Sequence, residues 1–259
     1  QAANAILPAL LAPALESAGV ATCFLTHPPR QGGTIGPDIR VVYVPRRGRR
    51  RFGRSVVGAA MAGARIAVGA LGAIRTSDLV HFHSNGLIVE VGDWLASRRG
   101  IPSIITLYGT DIWHHEPGRH TRFARVVRRA ACRVFYSQQL LEHARVRNLA
   151  PDPSVVIYAP VPPSFRVPSE SERQALRQEL GLNSGPVLLT VKRLHQVSGH
   201  EDLLRAMPGI LSSEPETKLL LVGEGELRVS LEALACEVGV DRHVRFLGCI
   251  PNEELWRYY

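Results

Sequence analysis

Short apolar runs alternate with amphipathic stretches along most of the chain. The runs are rich in Val, Ile and Leu and are bounded by turn residues, which is typical of strands buried on both faces. We predict strands at Val20–Leu25, Ile39–Val44, Asp78–His83, Ser103–Leu107, Val134–Tyr136, Val155–Tyr158, Val187–Val191, Lys218–Val222 and Val244–Leu247.

Between these runs, apolar residues recur at helical spacing. We predict helices at Ile6–Ala18, Ser55–Ile74, Gly86–Arg99, Thr121–Cys132, Leu140–Val146, Glu170–Leu180, around Leu203, Leu204 and Met207, at Leu227–Val238 and from near Asn252. Strands and helices that take turns predict parallel sheets covered by helices on both faces. The expected fold class is therefore α/β, with Rossmann-like architecture.

A proline-dense segment divides this pattern into two parts. Residues 160–168 read PVPPSFRVP, a composition that disfavours regular structure and is typical of a linker. We therefore predict a first domain over residues 1–160, a linker over 161–169 and a second domain over 170–259. A chain of 259 residues is long enough for two ordinary domains.

The charge is uneven between the two halves. The formal net charge is +8, with a balance of +11 in residues 1–165 and −3 in residues 166–259. The densest basic segment, PRRGRRRFGR, predicts attraction to an anionic membrane surface, at about 1 kcal/mol per basic residue near such lipid. A solvated basic loop is the alternative, and without an aromatic platform we do not expect nucleic acid as a partner. The arginines concerned are Arg46, Arg47, Arg49, Arg50, Arg51 and Arg54.

The four cysteines are far apart in the sequence and form no C-x-x-C pair. This spacing favours reduced thiols and a cytosolic setting over a zinc site or a disulfide framework. No run of 18 apolar residues is found, so we expect no membrane span, and the first residues lack the basic leader of a signal peptide. The expected location is cytoplasmic, at the inner face of a membrane.

The stretch Val187–Ala206 (VLLTVKRLHQVSGHEDLLRA) predicts a buried strand, a polar turn and an amphipathic helix. Such a turn places main-chain N–H groups and a cation where α/β folds bind anionic ligands. Together with KLLLVGEGELRVSLEALACEVGVDRHVRFLGCIPNEELWRYY, it resembles the donor-binding half of retaining family 4 glycosyltransferases. The resemblance spans residues 187–259 and continues more weakly over residues 76–160.

This resemblance implies the GT-B fold, in which two Rossmann-like domains face each other across a cleft. It also implies transfer of a sugar from a UDP- or GDP-sugar to a glycan or lipid-linked acceptor, with retention, in cell-surface polysaccharide or glycolipid synthesis. No cofactor and no obligatory metal are implied, because cationic side chains and a helix dipole can neutralise the leaving diphosphate.

The resemblance places Arg193 at the family's diphosphate-binding arginine, where a guanidinium can hold two oxygens. The family's lysine is replaced by Ser198, a hydroxyl without charge, and Lys192 stands where glycine is common. Gly199 begins the helix that follows. The implied donor-binding residues are Lys192, Arg193, Ser198, Gly199, Gly223, Glu224, Gly225 and Ile250.

On the acceptor side, Tyr108 stands where many relatives have a sugar-contacting histidine. A tyrosine can donate a hydrogen bond there but does not exchange a proton near neutral pH. Gly109, Thr110 and Asp111 follow it at the predicted carboxyl end of the first sheet, and Asp111 could orient the site or cap the next segment. The implied catalytic residues are thus Tyr108 and Arg193.

His81 and His83 lie two apart on one predicted strand and therefore share a face, a spacing that two metal ligands could use. No carboxylate or cysteine motif lies near them in the sequence. We therefore expect no metal site.

In the family, a strand with a glycine-rich loop precedes the first helix, and a strand and helix with two glutamates follow the last segment. We find neither in this sequence, so we expect both domains to be incomplete and this fragment to be inactive alone. Two alternatives stay open: a non-catalytic partner subunit, and a nucleotide-sugar epimerase of the same architecture.

Overall fold

The computed structural model describes residues 11–27, 40–44, 56–83, 85–113, 121–162, 164–182 and 184–259. The chain divides into two compact units, Gln1–Pro160 and Val161–Tyr259. The basic segment Pro45–Arg54 lies outside the described residues, as do the side chains of Thr110 and Asp111.

Parallel strands form two sheets in the first unit. Strands β1 (Cys23–Thr26) and β2 (Arg40–Tyr43) pair with each other, and the four-stranded sheet has the order β3-β4-β5-β6. Its strands are β3 (Val80–Phe82), β4 (Ser103–Leu107), β5 (Cys132–Phe135) and β6 (Ser154–Val156). All three pairings are parallel, so the carboxyl ends of these strands lie along one edge.

Helices connect these strands, as the alternating pattern predicts. Residues 11–17 are helical, and the following helices are α1 (Val56–Arg75), α2 (Leu87–Arg98), α3 (Thr110–Trp113), α4 (Arg122–Arg129) and α5 (Gln138–Val146). The side chains of Thr121 and Ser137 accept main-chain hydrogen bonds and thereby fix the starts of α4 and α5. The core between helices and sheet is apolar, with Phe135, Ile105, Leu107, Ile112 and Leu149 fully buried.

A buried arginine joins the end of α4 to the loop before β6. Arg133 is 3% exposed, and its guanidinium donates to the carbonyls of Val127, Arg128, Ala130, Pro151 and Pro153. Because the carbonyls at a helix end carry partial negative charge, they can stabilise a buried cation without a carboxylate. Burial nevertheless lowers the pKa of Arg133.

The second unit contains one parallel sheet of order β7-β8-β9. Its strands are β7 (Val187–Val191), β8 (Lys218–Val222) and β9 (Val244–Gly248), and its helices are α6 (Glu170–Glu179), α7 (His200–Ser213) and α8 (Arg228–Glu237). Ser169 and Glu172 form a capping box at the start of α6. The core includes Leu194, Leu204, Met207, Leu219 and Leu231, all fully buried.

Two local predictions were wrong. Cys132 begins strand β5, because the chain leaves the helical conformation at Ala130, whose ψ is 140°, and turns its last carbonyls onto Arg133. The helix predicted from near Asn252 is only a 3₁₀ turn at Leu255–Arg257. Within the described part of the chain, no helix is both long and apolar enough to cross a membrane.

Candidate functional site

The carboxyl edge of the first unit's larger sheet is lined by aromatic rings. His83 follows β3, Tyr108 follows β4 and Tyr136 follows β5, so parallel pairing brings these three residues to one edge. His83 Nδ1 and the Tyr108 hydroxyl are hydrogen-bonded at 2.8 Å. The ring of Tyr136 meets Tyr108 edge to face, with centroids 5.0 Å apart. Tyr108 is therefore held from both neighbouring strands.

His81 lies next to these rings, on β3 two residues before His83. Its Nε2 is hydrogen-bonded to Thr106 Oγ1 at 2.8 Å, and its ring lies 3.9 Å from that of His83 between centroids. Both histidines thus bridge β3 to β4 through their side chains. A nitrogen of each ring is engaged by a hydroxyl, and no group of three metal-ligating side chains is found among the described residues.

The electrostatics of this edge follow from burial. Desolvation lowers the pKa of His81 to about 4, and desolvation together with the nearby His81 lowers the pKa of His83 to about 3. Burial raises the pKa of Tyr108 above its ordinary value. At neutral pH, the three rings are therefore uncharged hydrogen-bonding groups.

Gly109 turns the chain away from this edge. Its φ of +119° is unfavourable for other residues, and a Cβ there would lie 3.0 Å from Trp113 Nε1. The Trp113 ring in turn packs on His143, with centroids 4.1 Å apart. Gly109 is thus required by backbone conformation and by the close indole, and any acceptor contact by it stays a prediction.

In the second unit, the loops after β7 and β8 run side by side. Leu194 N donates to Glu224 O at 3.1 Å, and Leu227 N donates to Leu194 O at 3.3 Å. A Cβ on Gly223 would lie 2.0 Å from Lys192 O, and one on Gly225 would lie 2.1 Å from Leu194 O. The Gly-x-Gly motif therefore permits close packing of two backbones, a role that needs no ligand.

Arg193 lies at the carboxyl end of this sheet, and its side chain is 71% exposed. Its Nη2 contacts Glu226 Oε2 at 3.1 Å, while Glu226 Oε1 contacts His195 Nε2 at 3.3 Å. The carboxylate thus bridges the predicted diphosphate arginine and a histidine. The adjacent Lys192 is exposed.

The turn after Arg193 is held by side chains that bond its carbonyl. Ser198 Oγ donates to Arg193 O at 2.8 Å, and His200 Nε2 lies 3.1 Å from the same oxygen. In this arrangement, the single proton of the Ser198 hydroxyl is directed to the main chain rather than to a ligand. Gly199, with φ +70°, then starts α7.

The third loop of this edge follows β9. Gly223 N donates to Gly248 O at 2.7 Å, which ties the loop after β8 to the end of β9. Gly248 has φ +72°, and a Cβ there would lie 2.9 Å from Glu224 Oε1. Ile250, two residues further on, is half-buried.

The structure brings the predicted residues to one edge in each unit and adds residues that the sequence analysis missed. In the first unit these are Tyr136, whose ring packs on Tyr108, and His83, which is hydrogen-bonded to Tyr108 and for which the sequence predicts no site role. In the second they are His195 and Glu226. The only available signal was position: Glu226 directly follows Gly223–Gly225, and His195 follows Arg193 by two residues.

Comparison with known proteins identifies the family. The model of the glycosyl transferase 4-like domain matches residues 8–160, which is more than half of the chain, and the glycosyl transferases group 1 model matches residues 172–259. The chain belongs to the glycosyl transferase 4-like family. The suspected resemblance to family 4 glycosyltransferases is thereby confirmed.

Two enzymes illustrate its relatives. A GDP-mannose-dependent alpha-(1-6)-phosphatidylinositol monomannoside mannosyltransferase of Mycolicibacterium smegmatis is 29% identical over 171 residues, covering 62% of this chain and 43% of the relative. The alpha-monoglucosyldiacylglycerol synthase of Acholeplasma laidlawii is 24% identical over 200 residues, covering 70% of this chain and 50% of the relative. The chain thus spans about half the length of these relatives or less.

Solved glycosyltransferase-like structures share the fold. Anabaena HepE in complex with UDP and glucose matches all of this chain and 68% of its own, with a TM-score of 0.69 and 18% identity. Sucrose-phosphate synthase of Thermosynechococcus elongatus matches with a TM-score of 0.70 and 19% identity, again over 100% of this chain and 68% of its own. The predicted GT-B fold class is confirmed.

Proposed function

We propose that this protein is a retaining hexosyltransferase that moves a sugar from a nucleoside diphosphate sugar to a glycan or lipid-linked acceptor. The proposal rests on the position of Arg193. Its exposed guanidinium lies at the carboxyl end of β7, on the sheet edge from which the loops after β8 and β9 also emerge. In parallel α/β sheets, this edge is where phosphate-bearing ligands bind.

Arg193 would bind the diphosphate and stabilise the negative charge that develops as the glycosidic bond breaks. Lys192 is the neighbouring cation and would add to the positive potential at the diphosphate. The first turn of α7 carries Glu201 and Asp202, so its N-terminus offers little net positive potential. We therefore assign charge neutralisation to the two side chains, with no obligatory metal and no cofactor.

Tyr108 would border the transferred sugar in the first unit. Its raised pKa and the neutral His83 make this edge a set of uncharged hydrogen-bonding groups, which suits sugar hydroxyls. None of these groups is a strong base at neutral pH. In the proposed retaining reaction, the departing phosphate oxygen itself takes the proton of the acceptor hydroxyl.

For the acceptor we propose a lipid-linked or glycan hydroxyl at the inner face of a membrane. Two relatives carry names that specify a phosphatidylinositol mannoside and a diacylglycerol glycolipid. The net balance of +11 in residues 1–165 also favours approach to an anionic surface. Whether the base is uracil or guanine is left to the experiment, since UDP is bound by HepE and GDP-mannose is named for the mannosyltransferase.

The test is calorimetric titration of UDP and of GDP into the protein, with magnesium and with EDTA. We expect one nucleotide to bind equally under both conditions. Arg193→Ala should weaken this binding by about tenfold or more, because a charge-assisted contact to phosphate is lost.

Arg205→Ala is the matched control, since it removes an exposed arginine from α7 of the same unit. Its affinity should equal that of the wild type. Equal affinities of wild type and Arg193→Ala, or binding that requires magnesium, would contradict the proposed donor site.

One observation favours a second candidate, a non-catalytic partner subunit. The family's lysine position holds Ser198, whose proton is already donated to Arg193 O. Nucleotide binding by the protein without sugar transfer to any lipid-linked acceptor would favour this candidate.

A further inference from the structure

The donor-side arginine is already occupied by a carboxylate of the same chain. Arg193 Nη2 lies 3.1 Å from Glu226 Oε2, although the side chains of both residues are half exposed or more. An exposed pair of this kind is weak, because each ion is well solvated and side-chain entropy opposes the contact. A bound anion can therefore replace Glu226 at the guanidinium.

The position of Glu226 is fixed by its own main chain rather than by the ion pair. Glu224 O accepts from Leu194 N, and Leu227 N donates to Leu194 O, so hydrogen bonds hold the chain on both sides of Glu226. Gly225 fits only because it lacks a Cβ, which would meet Leu194 O at 2.1 Å. The main chain thus keeps residue 226 beside Arg193 whether or not the two side chains are in contact.

His195 holds the other oxygen of this carboxylate. Val197 N donates to His195 Nδ1 at 3.3 Å, so Nδ1 is an acceptor and carries no proton. The ring proton then lies on Nε2, which is 3.3 Å from Glu226 Oε1. The pKa of Glu226 is lowered first by a hydrogen bond from its own main chain and then by Arg193 and His195, so this carboxylate is ionised at neutral pH.

From these contacts we infer that Glu226 is an internal competitor for Arg193, which a diphosphate must displace. Glu226 therefore sets the affinity of the site for anions. Its fixed negative charge stays next to the bound phosphates after displacement and opposes them. This inference rests on the proposed function, since it takes Arg193 as the diphosphate ligand.

The decisive variant is Glu226→Gln, which keeps the shape and removes the charge. Its affinity for the preferred nucleotide, and for inorganic pyrophosphate, should rise about threefold, as expected from removing one screened like charge at this distance. Glu237→Gln removes the same charge from an exposed position of α8 and should leave the affinity unchanged. The gain should shrink at high salt, because the interaction is electrostatic and exposed.

The background Arg193→Ala separates this inference from the proposed function. Without the guanidinium, Glu226 has no cation to compete for. Glu226→Gln should therefore increase the nucleotide affinity less in the Arg193→Ala background than in the wild type. If Glu226→Gln binds the nucleotide no more tightly than the wild type while Arg193→Ala still binds it more weakly, the role of Glu226 is overturned and the donor site stands. Wild-type affinity in Arg193→Ala would instead overturn the donor site itself.

Discussion

The carboxyl edges of the two sheets present opposite kinds of chemistry. In the first unit, His83 and Tyr108 are half-buried and His81 is more exposed. All three are uncharged at neutral pH, and each histidine is hydrogen-bonded to a hydroxyl of the neighbouring chain segment. In the second, Arg193 and Glu226 are exposed and ionised, on loops held together by main-chain hydrogen bonds. The same parallel topology thus supports a neutral polar edge and an ionic edge.

The difference indicates how each edge is stabilised and what it can bind. Neutral groups that are partly buried need hydrogen-bond partners on adjacent strands, because a hydroxyl or imidazole that loses water without gaining a partner costs free energy. Exposed ions are solvated by water and need no such partners, so their geometry depends on the loop backbones beneath them. The first arrangement suits hydroxyl groups of a sugar, and the second suits phosphate.

The largest expected effect is acid destabilisation of the first unit. His81 and His83 have an ordinary pKa of 6.5, lowered to about 4 and about 3 by burial, so the unfolded chain binds more protons as pH falls below 6.5. From pH 7 to pH 5, the free energy of unfolding should fall by about 2 kcal/mol through the half-buried His83, and by less through His81, which is exposed and therefore partly solvated. Urea unfolding at both pH values measures this through Trp94 and Trp113, the two tryptophans of this unit.

His83→Gln should remove more than half of this pH-dependent loss of stability, because only the more exposed His81 then titrates. His195→Gln, on the exposed edge of the second unit, should not change it. A first unit equally stable at pH 7 and pH 5 would show that these histidines are solvated and that the two edges do not differ as described.

The next effect concerns the loops under the ionic edge. Gly225→Ala forces a Cβ onto Leu194 O, at 2.1 Å before relaxation, and should destabilise the second unit by about 3 kcal/mol. Gly209→Ala, in α7 with no neighbouring atom within 4 Å, is the control and should stabilise the helix slightly. Chemical unfolding followed through Trp256, in the second unit, compares them, and equal stability of the two variants would refute close backbone packing.

The smallest effect in this set is loss of one hydrogen bond on the neutral edge. Tyr108→Phe removes the hydroxyl group that is hydrogen-bonded to His83 Nδ1. Loss of this hydrogen bond should lower the free energy of unfolding by about 1 to 2 kcal/mol. Tyr158→Phe, at a position 71% exposed, should be neutral. Thermal unfolding of both variants decides whether the pair stabilises the edge, and indistinguishable curves would show that it does not.

The sequence by itself determined the elements and the edges on which function is expected. Three predicted strands, Ser103–Leu107, Val187–Val191 and Lys218–Val222, have their predicted bounds, because a continuous apolar run between turn residues leaves little freedom in register or burial. The end of such a run is also visible in the local sequence. Tyr108 and Arg193 could therefore be placed at the carboxyl edges of the sheets from their positions alone.

Only the tertiary structure decided what these residues contact. Arg133 looks like one more arginine of a basic half, yet it is buried among carbonyls that come from both sides of its strand. The partner of Tyr108 directly follows β3, 25 residues away, and the partner of Arg193 lies on the loop after β8, 33 residues away. Such contacts depend on which strands pair and on how closely loops pack, and periodicity along the chain does not encode either.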